Sequence, residues 1–77
     1  MRTYAAVGEK SGHVGALLDC LVWALEKVEK GNEPVFQIVR CRAGEVEAKV
    51  IAQVHEDGIQ PLQNPIYLKI SRLLEGG

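Results

Sequence analysis

One segment of this chain has the period of a helix, and the segments around it have the period of strands. From about Gly12 to Lys30 the apolar residues Val14, Leu17, Leu18, Leu21, Val22, Leu25 and Val28 recur at spacings of three and four, which lines them up along one stripe of an α-helix. Ser11 reads as its N-cap. The stop falls at "KGNEP", where Gly31 suits the left-handed C-terminal position and Pro34 prevents continuation. Asp19, Glu26, Lys27 and Lys30 fall on the opposite face. One helix covers one face of one sheet, and that bounds the fold.

The remaining runs read as strands. Arg2 to Val7 is a short one that Gly8 stops, and "VFQIVRCR", "EVEAKVIAQVHE" and "IYLKISRLL" supply three more. Ala43-Gly44 signals a tight hairpin between the first two of these, and a longer turn with Gly58, Pro61, Asn64 and Pro65 joins the last two. The order is β-α-β-β-β. This predicts an α+β fold, with a single helix packed on a mainly antiparallel four-stranded sheet whose N-terminal strand joins parallel through a right-handed crossover. At 77 residues the chain reads as one domain over 1–77, with 75–77 a flexible tail. Such a domain buries only about 60% of its unfolded surface, so a partner surface would add stability.

The alternation along the strands assigns the faces. Val46, Ala48, Val50, Ala52 and Val54 share one face of their strand, with Glu47, Lys49, Ile51, Gln53 and His55 on the other. Placing the helix on the valine side leaves Phe36, Ile38, Ile51 and Tyr67 as a candidate interface on the far side, and a contiguous apolar patch of that kind calls for a partner. A twofold homodimer is the expected solution. The competing reading is a bulge near Arg40, which would turn Phe36 inward and leave the outer face polar.

Between the first strand and the helix, "VGEKSGHVG" has the setting of an anion site, because a helix N-terminus offers free amides and a favourable dipole. Lys10, Ser11 and Gly12 are the candidate anion-binding residues. The pattern is neither GxxxxGK[ST] nor GxGxxG, so a flexible turn is the plainer reading. His13, His55, Cys20 and Cys41 lack the close-spaced pairs of a zinc site, and the two cysteines read as small buried residues. No metal or cofactor is expected. No catalytic constellation stands out either: Cys20 and His13 lie seven positions apart, and the carboxylate pairs Glu56-Asp57 and Glu45 with Glu47 read as solubility charges. The chain is therefore read as no enzyme.

A net charge of -1 and a pI near 6.1 disfavour nucleic acid as a partner, although Arg40, Arg42, Lys49, Lys69 and Arg72, with Phe36 and Tyr67, have the chemistry of a base-stacking sheet. The longest apolar run, "GALLDCLVWAL", is too short to span a bilayer, and no secretory segment opens the chain. A reducing, cytoplasmic location is expected. The C-terminal "RLLEGG" resembles the Gly-Gly tail of ubiquitin-like and sulfur-carrier proteins, which implies adenylation by an activating enzyme at Gly76-Gly77. The resemblance covers two residues, and those families place a hairpin before the helix where this sequence shows only Arg2 to Val7. The expected function is that of a small non-enzymatic protein acting by self-association and by binding a macromolecular partner. The alternatives are a Gly-Gly carrier and a nucleotide- or nucleic-acid-binding module.

Overall fold

The computed structural model describes residues 2–42 and 47–69. Strands β1 (Arg2–Val7) and β2 (Gly12–Gly15) form a hairpin, closed by the Gly8 amide donating to the Ser11 carbonyl at 2.8 Å. Gly12 to Gly15 was expected to open the helix and is a strand instead. Two glycines there would each cost a helix about 1 kcal/mol relative to alanine, whereas β1 supplies a ready ladder. The hairpin that the sequence lacked to the eye is thus present.

Helix α1 (Leu17–Glu29) follows directly, with an extended Ala16 as its N-cap and no side-chain cap. Ser11 is too far back to cap it. At the other end Gly31 has φ +74°, its amide donates to the Val28 carbonyl and the Asn32 amide to the Lys27 carbonyl. That pair of bonds is a Schellman closure, and it satisfies the carbonyls that the helix end leaves open.

Strands β3 (Val35–Arg42), β4 (Glu47–His55), β5 (Gly58–Pro61) and β6 (Tyr67–Lys69) complete the sheet. Its order is β2-β1-β3-β4-β5, with β6 also pairing to β4, and every pairing is antiparallel. The fold is α+β with one helix on one sheet. Among the described residues the sheet is five positions wide and not four, because β2 adds an edge and because β5 and β6 share the far side of β4. The expected parallel crossover is also replaced: β1 runs antiparallel to β3, since the β2 hairpin reverses the chain before the helix begins. Both outer positions hold strands of three or four residues, which limits edge-to-edge pairing.

One residue governs where the core sits. Ile38 pairs with Ala52 and Val39 with Val50, so Ile51 is an extra residue in β4. This bulge reverses the alternation. Beyond it, Ala52 and Val54 join Ala6, Phe36, Ile38, Cys20 and Ala24 beneath the helix. Before it, Ala48 and Val50 join Ala5, Val39 and Cys41 on the opposite face, where Val7 and Leu62 pack over them. The one-sided valine series is therefore split in its middle. Phe36 and Ile38 are 0% exposed, so they are helix-side core and not part of an outer patch. The slip lies at Ile51 in β4 instead of near Arg40 in β3, and Phe36 is inward through its pairing with Val54 and not through the slip. Ile51 itself is half-buried against the helix-side cluster.

The helix meets the sheet through its small residues. Cys20 and Ala24 are fully buried, one turn apart, and let the backbone approach closely. Trp23 sets its ring edge-on to Phe36 at 5.2 Å between centroids. Leu21, Leu25 and Val28 are only half-buried beside this line, and Leu18 and Val22 are 73% and 47% exposed. The apolar stripe is wider than the contact, and its outer flank faces solvent.

Candidate functional site

The β1–β2 turn does hold an anion, and the anion is the chain's own. Glu33, just before β3, is 7% exposed. Its carboxylate accepts the Lys10 amide at 3.0 Å and the Ser11 hydroxyl at 2.5 Å. The Ser11 hydroxyl, followed by the backbone amides of Lys10, Glu9 and Ser11, holds the carboxyl below the usual glutamate range against the opposing effect of burial. Gly8 makes room for this: a Cβ there would stand 2.5 Å from the carboxylate and 2.6 Å from the Phe36 ring. Of the three residues read as anion-binding, Lys10 and Ser11 are engaged by Glu33, and Gly12 is a β2 residue paired with Val7.

Where β2 meets α1, His13 Nε2 and Asp19 Oδ2 lie 2.6 Å apart. The imidazole stacks on Trp23 at 5.3 Å and 14° between planes, and Lys27 Nζ sits 5.5 Å from the same indole. The sequence placed His13 in the first helical turn, which hid this partnership across the strand-helix junction. Cys20 is adjacent, but its thiol donates to the His13 carbonyl at 3.7 Å. Burial, and then the Asp19 charge, push that thiol up; burial does the same to Cys41. Both sulfurs stay protonated and are poor nucleophiles.

An open cleft of about 510 Å³ lies between the helix end and the β4–β5 turn, lined by Val28, Gly31, Glu33, Pro34, His55 and Asp57 among others. His55 shares its Nε2 with Gln60 Oε1 at 3.3 Å. Among the described residues no three His, Cys, Asp or Glu side chains converge as a metal site.

The sheet's helix side continues past the helix. Tyr4 pairs with Arg40, Arg40 with Lys49, and Lys49 with Tyr67, so one cross-strand row reads Tyr, Arg, Lys, Tyr over four strands. Two residues further along, Arg2 pairs with Arg42 and Glu47 with Lys69. Tyr4, Arg40 and Lys49 are half-buried. The cations foreseen on the strands are thus brought together, but their aromatic neighbour is Tyr4 and not Phe36. What concealed Tyr4 was the assumed parallel crossover, which leaves its neighbour undefined.

Among the described residues no helix is long and apolar enough to cross a membrane. Arg72 and the Gly76-Gly77 tail lie outside the described residues. No family model, curated protein or solved structure matches the chain.

Proposed function

We propose that this chain is a small non-enzymatic binding protein that self-associates through the outer flank of α1 and presents its sheet to a macromolecular partner. The single observation that carries the reading is the exposure of Leu18 at 73% beside Val22 at 47%. These two residues are one turn apart, with half-buried Leu21 and Leu25 next to them. Asp19, Glu26 and Glu29 border this apolar ridge on the exposed side, so a second copy is expected to meet it along Leu18, Val22 and Leu25. Two antiparallel copies can set these ridges into each other's grooves. The interface expected at Phe36, Ile38, Ile51 and Tyr67 is thereby moved to the helix, because the register sets Phe36 opposite Val54 and Ile38 opposite Ala52 beneath it. The chemistry favours binding over catalysis: both thiols are buried, and the Cys20 thiol beside the His13–Asp19 pair is turned to the His13 carbonyl and pushed up by burial.

A seam of one helix per copy is at the small end of specific interfaces, below about 1,200 Å² in total, so the dimer should be concentration-dependent. Sedimentation velocity over a wide concentration range tests this. The wild type is expected to shift from monomer to dimer, and Leu18→Lys to remain a folded monomer. A wild type that stays monomeric throughout, or a Leu18→Lys variant that dimerises like it, would sink the proposal. Ile51→Lys is a poor probe, since it would disturb the core against which Ile51 packs.

A further inference from the structure

We infer that the cross-strand row Tyr4–Arg40–Lys49–Tyr67 binds single-stranded nucleic acid. The net charge is -1, yet the sheet separates its charges by end. Around the turns at one end stand Glu9, Glu33, Glu56 and Asp57, with Lys10 among them, while the strands at the other carry Arg2, Arg40, Arg42, Lys49 and Lys69; the acids at that end are Glu47 in the two ranks and Asp19, whose carboxylate lies against Gly15, the register partner of Tyr4. A polyanion approaching this molecule meets a local field of the opposite sign to the whole.

Register partners in an antiparallel pair share a face and stand close together. Arg40 and Lys49 therefore form the middle of a row whose ends are tyrosine positions, separated by three strand spacings, or about 14 Å. Cations beside the Tyr4 ring match a strand whose phosphates need neutralising and whose unpaired bases have free π-faces. Tyr4 is half-buried and packs against the helix-side cluster, so it is held in place and its remaining ring surface is offered in one orientation. A sheet face of this breadth suits an extended single strand, whereas a duplex shows no base faces to stack on.

Cys20 and Ala24 fix the helix over Phe36, Ile38, Ala52 and Val54, and the bulge at Ile51 ends that covered zone. The cation row begins immediately beyond it. The inference rests on the binding-protein reading but not on the dimer, because Leu18→Lys abolishes self-association and leaves the row untouched; the two ideas fail separately.

The test is fluorescence anisotropy of a short labelled oligothymidylate titrated with the full chain, with a duplex of equal length and polyglutamate as competitors. Saturable binding is expected, displaced by neither competitor at matched charge. The Arg40→Gln/Lys49→Gln double variant should bind about tenfold or more weakly, and its log Kd should depend less on log salt, the slope falling by about 1 for each cation removed. Arg40→Lys should bind nearly as well as the wild type. Thermal melts by circular dichroism show whether the double variant is folded, and if it is not, the salt slope of the wild type and Lys49→Gln alone carry the test. An absence of saturable binding, undiminished binding by the folded double variant, or equal displacement by polyglutamate or duplex would each overturn the inference; displacement by polyglutamate would indicate an acidic polypeptide partner instead.

Discussion

The two halves of the sheet, on either side of Ile51, bury opposite faces. In the half carrying Phe36, Ile38, Ala52 and Val54 the inward face lies under α1. In the half carrying Val39, Cys41, Ala48 and Val50 it lies on the far side, with Leu62 and Val7 against it. The same strands supply both. The contrast shows how a chain of this size gets two uses from one sheet: the helix closes the first half completely, and because the second half turns its apolar residues away, its helix-side face is left to Tyr4, Arg40 and Lys49. A single inserted residue separates the structural surface from the candidate binding surface.

The sharpest way to break this comparison is at the aromatic centre of the helix-covered half. Phe36 is 0% exposed and meets Trp23 edge-on, so Phe36→Ala should destabilise by about 3–5 kcal/mol, read from urea unfolding. Val50→Ala, an equally buried residue of the other half, removes less volume and should cost distinctly less. If the two losses are equal, the helix-covered half is not the dominant core.

A smaller effect is expected where the turn is tied to that half by Glu33. Its carboxyl titrates below the ordinary glutamate range when folded, so its contribution to stability is present above the unfolded pKa and disappears as pH falls through the folded one. Melting temperatures of wild type and Glu33→Gln should differ most at neutral pH and converge in acid, below the usual glutamate range. A gap that is constant across that range would show that the carboxylate's charge is not what the turn amides hold.

The smallest effect belongs to the outer flank of the helix. Leu18→Ala should change monomer stability by about 0.5 kcal/mol or less, measured by urea unfolding at a concentration where the chain is monomeric. Leu21→Ala, half-buried, should cost more. A large loss at Leu18 would mean that this flank is covered within one chain, and the two halves would then differ less than described.

Which of these features the sequence disclosed follows from how local each one is. The helix end was legible because Gly31 and Pro34 act within two turns of it, and β3 was legible because Val35, Phe36, Ile38, Val39 and Cys41 crowd apolar and β-branched residues into one short run. The β1–β2 hairpin was not, since Gly12, His13, Val14 and Gly15 carry equal signals for a turn and for a helix start, and only pairing to β1 decides between them. Ser11 was read as a cap because nothing nearby competes for its hydroxyl; its partner, Glu33, lies 22 positions away. The bulge did leave a trace. Val50, Ile51 and Ala52 are three consecutive apolar residues in a strand that otherwise alternates, and that break in period is where the face changes. Arg40 and Lys49 were foreseen as strand cations, but their row with Tyr4 depends on a register that no local pattern encodes.

The two thiols fall in different halves of the core. Cys20 lies in the helix-covered cluster and Cys41 in the opposite one, each buried and each with its proton held on by burial. A thiol reagent reaches such a sulfur only when its surroundings open. The molecule therefore carries one chemical clock in each half of its core, and the labelling rates of Cys20 and Cys41 time the openings of the two halves independently within a single unmodified chain.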